Sequence, residues 1–76
     1  MYEYEHFDGY DYTTFDIIET DVDRMKITVA VTYIGKISVV SYELYEDENG
    51  LYFEYGPLFT KIYIDDFIYR SDKDDD

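Results

Sequence analysis

Hydrophobic and polar residues alternate most regularly from Arg24 to Ile34. There the run RMKITVAVTYI puts Met25, Ile27, Val29, Val31 and Tyr33 on one face and Lys26, Thr28, Ala30 and Thr32 on the other. A period of two is the pleat of a half-buried β-strand. Gly35-Lys36 follows as a Gly-X pair suited to a two-residue type II′ loop, and Ile37 to Glu46 is again rich in β-branched and aromatic residues. A hairpin closed at that loop pairs Ile34 with Ile37, Val31 with Val40, Val29 with Tyr42 and Ile27 with Leu44. The last three pairs share one apolar face, and Thr28 and Glu43 share the other. Asn49-Gly50 signals a second hairpin of type I′, pairing Glu48 with Leu51, Glu46 with Phe53 and Leu44 with Tyr55. Leu51, Phe53 and Tyr55 then extend the same core face. Gly56-Pro57 interrupts the ladder, and Leu58 to Ile64 resumes it as a further strand.

Three readings of residues 1–23 stay open. Asp8-Gly9 turns a hairpin of YEYEHF with YDYTTFDII, or the first dozen residues form a loosely held arm. A short helix over Thr14 to Met25 is the rival, with Phe15, Ile18, Val22 and Met25 at helical spacing behind a threonine cap; its aspartates and β-branched residues argue for strand. The predicted fold class is all-β or mainly β. It is a single antiparallel sheet of about five to six short strands, centred on a three-stranded meander from Arg24 to Tyr55. Residues 1–70 make one domain, and Ser71 to Asp76, without an apolar residue, are expected to be a disordered acidic tail.

Charge changes this picture most. Nineteen Asp and Glu against six Lys and Arg give the 76 residues a net charge of −13. Hydrophobic residues still make up 46% of the chain and aromatics 21%, including eleven Tyr, which is too apolar for the disordered class. The chain is therefore expected to fold with an anionic surface. Repulsion among the uncompensated charges predicts a salt-sensitive fold, or a homodimer that buries aromatic surface. There is no cysteine, so neither disulfides nor thiolate metal sites are available. The N-terminal Met1-Tyr2-Glu3-Tyr4-Glu5 has no basic region and no apolar stretch of a secretory signal, and no apolar run reaches the roughly 20 residues that span a bilayer. A cytoplasmic protein is expected. Nucleic acid and the anionic membrane leaflet would repel it, so basic protein surfaces are the favoured partners.

Thirteen charges equal those on about 22 Å of duplex DNA, which carries one per roughly 1.7 Å. A domain of this length has a radius of gyration of about 11 Å and a width of about 30 Å, so its charge per length is DNA-like. Glu3, Glu5, Asp8, Asp11, Asp16, Glu19, Asp21 and Asp23 all precede the first basic residue, Arg24. A second patch, Glu43, Glu46, Asp47, Glu48 and Glu54, surrounds the second hairpin, and Asp65, Asp66 and the tail form a third. Residues i and i+2 of a strand stand about 6.7 Å apart, near two axial steps of about 3.4 Å along a DNA strand. Strand-borne carboxylates can thus match a phosphate ladder in spacing. The blander alternative is a charged surface that only keeps the protein dissolved, but the net charge exceeds the magnitude of about 2 to 8 that solubility asks of a small domain. Tyr33, Tyr42 and Tyr55 are assigned to the core. Tyr45 and Tyr52, set among acids, are candidate partner contacts; cross-strand pairing explains such tyrosines equally well.

Enzymatic readings find little to stand on. His6 is the only histidine and reads as a strand or arm residue, while Ser38, Ser41 and Ser71 have no paired base. Asp65 and Asp66 are adjacent and point to different faces, which disfavours an acid–base pair. Asp47, Asn49 and Gly50 match three positions of an EF-hand loop, but Tyr45 and Gly56 stand where both essential carboxylates belong. No cofactor, metal or catalytic residue is expected.

In size, acidity, aromatic content and lack of cysteine, the chain resembles the small phage-encoded DNA-mimic inhibitors. That group spans unrelated folds and includes blockers of uracil-DNA glycosylase, restriction enzymes, CRISPR effectors and the nucleoid protein HU. The resemblance covers overall character and carries over no individual residue. It implies occupation of the DNA-binding surface of a basic bacterial protein. An HU-like target comes first, because such proteins bind by backbone charge and shape. The alternative is a β-sheet interaction module that docks on a basic host protein, such as a polymerase component, without copying DNA.

Overall fold

The computed structural model describes residues 1–70. The chain forms β1 (Tyr2–Phe7), β2 (Tyr12–Asp21), β3 (Lys26–Tyr33), β4 (Lys36–Glu43), β5 (Tyr45–Asp47), β6 (Gly50–Tyr55), β7 (Thr60–Tyr63), a 3-10 turn at Ile64–Asp66, and β8 (Ile68–Tyr69). The mainly-β class is as the alternation predicts. The strands, however, divide between two antiparallel sheets in place of one: β4-β3-β2-β1-β8 and β5-β6-β7.

Division occurs at Leu44. Its side chain is buried between the sheets, and its N–H donates to the Met25 carbonyl at 2.8 Å, so the chain leaves the first sheet there and begins the second. Inward residues of both sheets meet in one core of Phe15, Ile27, Val29, Val31, Leu44, Phe53, Ile62 and Phe67. Phe15 of β2 packs edge-on against Phe53 of β6 at 5.5 Å, and Tyr42 of β4 stacks on the other side of that region at 4.8 Å from Phe53. Burial of a ring of this size contributes roughly 1.5–3 kcal/mol. Of the three tyrosines assigned to the core, Tyr42 and Tyr55 pack against it and Tyr33 is exposed.

Residues 14–25 are not helical. β2 pairs with β1 on one side and β3 on the other, from Glu3 opposite Asp16 to Phe7 opposite Tyr12 and from Thr13 opposite Tyr33 to Asp21 opposite Lys26. A bulge between Ile17 and Glu19 shifts the register and leaves Ile18 exposed. The apolar spacing at Phe15, Ile18 and Val22 that mimics a helix is thus a strand with one extra residue. Asp8 closes the β1–β2 turn, its Oδ1 accepting the N–H groups of Tyr10 at 2.8 Å and Asp11 at 2.9 Å.

Both later hairpins turn one residue earlier than the sequence suggests. In β3–β4 the loop is Ile34-Gly35, with Tyr33 opposite Lys36, Val31 opposite Ser38, Val29 opposite Val40 and Ile27 opposite Tyr42. Positive φ at both Ile34 (48°) and Gly35 (75°) makes this a type I′ turn. The observed register sets Lys26 against Glu43 as an ion pair at 3.0 Å and Thr28 against Ser41 as a hydroxyl pair at 3.1 Å, where the other register would oppose Thr28 to Glu43. Cross-strand pairs of this kind decide registers. In β5–β6, Asp47 pairs with Gly50, Glu46 with Leu51 and Tyr45 with Tyr52. Neither Glu48 nor Asn49 has positive φ, Gly50 does at 117°, and the Asp47 carboxylate accepts the Asn49 N–H at 2.8 Å. The loop is therefore Glu48-Asn49, and Gly50, on positive-φ backbone, opens β6 without a break in register. Because each turn moves by a single residue, inward residues stay inward and only their partners change. The tail Ser71 to Asp76 lies outside the described residues.

Candidate anionic interaction surface

On the outer face of the five-stranded sheet, β1 contributes Glu3 and Glu5 and β2 contributes Asp16 and Glu19. Strand alternation sends Tyr4, His6, Phe15 and Ile17 inward and Glu3, Glu5 and Asp16 outward, and the bulge after Ile17 turns Glu19 outward as well. Glu3 stands directly opposite Asp16, a like-charge juxtaposition that a sheet ordinarily disfavours. Arg70, arriving beside β1 through β8, meets Glu3 at 3.4 Å. Glu5 and Glu19 are exposed. Asp8 and Asp11 continue the acidic run around the first turn, where the N–H groups of Asp11 and Tyr10 hold the Asp8 carboxyl below its usual range.

Apart from Glu43, which stands on the outer face of β4, the second patch lies on the three-stranded sheet. Tyr45, Tyr52 and Tyr63 form a ladder across β5, β6 and β7, with ring centroids 5.6 and 5.2 Å apart. Lys61 lies over Tyr52 at 4.8 Å and reaches Asp47 at 3.3 Å. The Tyr63 hydroxyl donates to Asp47 at 2.7 Å; that bond first, then the Asn49 N–H and Lys61, lowers the Asp47 pKa, the same bond raises that of Tyr63, and the bond of Lys61 to Asp47 raises that of Lys61. Asp47 and Asp8 therefore close turns, and Tyr45 and Tyr52 pair across strands. Glu46 and Glu48 are exposed, Glu54 is half-buried opposite Lys61, and Glu43 is paired with Lys26. The acids of β1 and β2 and those of β5 and β6 thus stand on different sheets.

Two features were not singled out from the sequence. The first is an apolar end where three turns converge. His6, Phe7, Tyr10, Tyr33, Tyr55 and Leu58 line a cleft of about 550 Å³ there. Tyr10 is 90% exposed and Leu58 86%, while Phe59 (φ 54°) and Ile34 (φ 48°) are exposed side chains on left-handed backbone. A bulky residue in that region costs on the order of 1–3 kcal/mol. Partial burial, then the neighbouring Asp11 and Asp8 carboxylates, raise the Tyr33 pKa. The second feature is a stretch from Arg24 to Tyr42 that contains no acid, although it includes Arg24, Lys26 and Lys36. Reading the gaps between acids along the chain would have found it. Among the described residues no cluster of His, Asp and Glu is arranged to hold a metal ion, and no helix is long and apolar enough to cross a membrane.

No family model matches the chain, and neither curated proteins nor solved structures include a significant match.

Proposed function

We propose that this protein is an anionic decoy that occupies the DNA-binding surface of a cationic bacterial protein. The observation that supports this most is the outer face of β1 and β2, where Glu3, Glu5, Asp16 and Glu19 share one side of two paired strands. Within a strand, Glu3 and Glu5 stand about 6.7 Å apart, and across strands Glu3 and Asp16 are separated by about 5 Å, so charge is presented at phosphate-like intervals on a rigid support. The molecule measures 36 × 29 × 21 Å, and its shortest dimension suits a groove that accepts a duplex. An architectural HU-like protein, which reads backbone charge and shape, is the first target; nucleases, glycosylases and CRISPR effectors follow. Catalysis has no part in this role.

A non-mimic interaction module is the second reading, and the apolar turn end favours it: Tyr10, Leu58 and Phe59 have no counterpart on a DNA backbone. Displacement separates the two. The immobilised protein is used to capture partners from bacterial lysate at low and high salt, and each captured protein is then bound to labelled duplex and titrated with free protein. Stoichiometric release of duplex supports the decoy. A ternary complex that retains the duplex supports the module instead.

A further inference from the structure

The sheet edges of this molecule are unequal. β8 is two residues long, β5 three and β7 four, whereas β4, the remaining edge, runs eight residues from Lys36 to Glu43. Natural proteins guard exposed edges with charges, prolines, bulges or brevity. β4 has no bulge against β3, no proline, and no charged side chain between its two ends. In a hairpin closed by a two-residue loop, Lys36, Ser38, Val40 and Tyr42 exchange hydrogen bonds with β3. The N–H and C=O groups of Ile37, Val39 and Ser41 therefore point out along the free edge. Ile37 is 70% exposed and Val39 67%.

We propose that β4 is a homodimerisation edge, on which a second copy of this chain adds its own β4 antiparallel to form a continuous ten-stranded sheet. Charge selects this occupant. The acid-free stretch from Arg24 to Tyr42 is where two copies of a strongly anionic chain approach without setting carboxylates against carboxylates. A two-fold axis perpendicular to the sheet pairs odd residues of one strand with odd residues of the other. Centring it on Val39 places Val39 opposite Val39 of the partner subunit, Ile37 opposite Ser41 of the partner subunit and Lys36 opposite Tyr42 of the partner subunit. That register opposes no like charges and leaves Glu43 with Lys26. The contact is small, below the roughly 1,200 Å² of standard interfaces, so dissociation is micromolar or weaker.

Salt gives the dimer a signature opposite to that of the proposed decoy binding: screening of the net charge strengthens self-association and weakens attraction to a cationic partner. Sedimentation equilibrium from about 10 μM to about 1 mM, the range a small interface calls for, is run at about 0.05 M and about 0.5 M salt. The expected result is a monomer–dimer equilibrium whose dissociation constant falls at least several-fold at high salt and is abolished in Val39→Lys. That variant changes an exposed side chain; a wild-type-like thermal transition confirms that it folds. In the wild type, amide exchange at Ile37, Val39 and Ser41 slows with protein concentration. A protein that stays monomeric throughout overturns the proposal, as does a dimer that survives Val39→Lys or is lost instead in Leu58→Ser at the turn end.

Discussion

Two hairpins of the same sheet divide the surface chemistry of this protein between them. β1–β2 carries Glu3, Glu5, Asp16 and Glu19 on its outer face, with Asp8 and Asp11 at its turn; β3–β4 carries Thr28, Ala30, Thr32, Ile37, Val39 and Ser41 there, with Lys26 and Glu43 neutralising one another. Their inner faces are alike: Phe15 and Ile17 from the first, Ile27, Val29 and Val31 from the second, all committed to one core. Fold and charge are therefore independent variables here, set by opposite faces of the same strands. A two-residue period allows that, because every second side chain is free to answer to solvent or a partner alone.

A pair of identical substitutions exposes the contrast most strongly. Val29 is fully buried and Val39, on the adjacent strand, mostly exposed. Val29→Asp should abolish cooperative unfolding, since an unpaired carboxylate in this core costs several kcal/mol. Val39→Asp should stay within about 0.5 kcal/mol of wild type. Thermal melts followed by circular dichroism measure both; equal effects would erase the distinction between the faces.

Backbone strain offers the next test. Ile34→Asn places at the first loop position of the β3–β4 turn a residue that tolerates left-handed backbone, and Ile34 gives up little burial there. Stability should rise by about 1 kcal/mol in urea titration. An unchanged or lower midpoint would mean that the Ile34 side chain makes contacts worth its strain.

Acid should act in opposite directions on the net charge and on the two aspartates that close turns. Lowering the net charge of −13 relieves repulsion across the whole molecule, so stability rises as the pH falls from 7 toward the carboxylate range. Asp8 and Asp47 have folded pKa values below their usual 3.8, so the stability they contribute is present above that value and is lost as the pH falls through the lowered ones. A stability maximum above pH 3.8 is expected, followed by a decline that Asp47→Asn makes shallower while lowering stability at neutral pH. Melts across that range would refute this if Asp47→Asn left the acid limb unchanged.

The smallest effect is the repulsion itself. Glu5→Gln with Glu19→Gln should stabilise the fold by a few tenths of a kcal/mol at low salt and by nothing measurable at high salt. Lys26→Gln, on the compensated hairpin, should destabilise by a similar amount, the usual worth of an exposed ion pair.

The alternation that builds β3, the Asp8-Gly9 turn and the strand break at Gly56-Pro57 were all legible in the sequence. The turn positions were not, because a glycine beside a loop serves equally as the first residue of a type II′ pair, the second of a type I′ pair or the first strand residue after the loop. Only cross-strand partners such as Lys26 with Glu43 and Thr28 with Ser41 distinguish them. The passage of the chain between sheets at Leu44 had no glycine or proline to announce it; it depends on burial from both sides. Of the candidate site, the identity of the acids was legible. Their arrangement was not, since placing Glu3 opposite Asp16 requires the β1–β2 register and the bulge that puts Glu19 outward. Asp8 and Asp47 looked like partner contacts because an aspartate that closes a turn is the same residue as one that awaits a cation.

The division of the surface is tested most directly by amide NMR of the labelled protein titrated with an HU-like DNA-binding protein at low salt. Shift changes should concentrate on Glu3–Phe7 and Asp16–Glu19, fade as salt rises, and reverse when duplex DNA is added. Changes centred on Ile37–Ser41 or on the Tyr10 and Leu58 turns, persisting in the presence of duplex, would contradict the account.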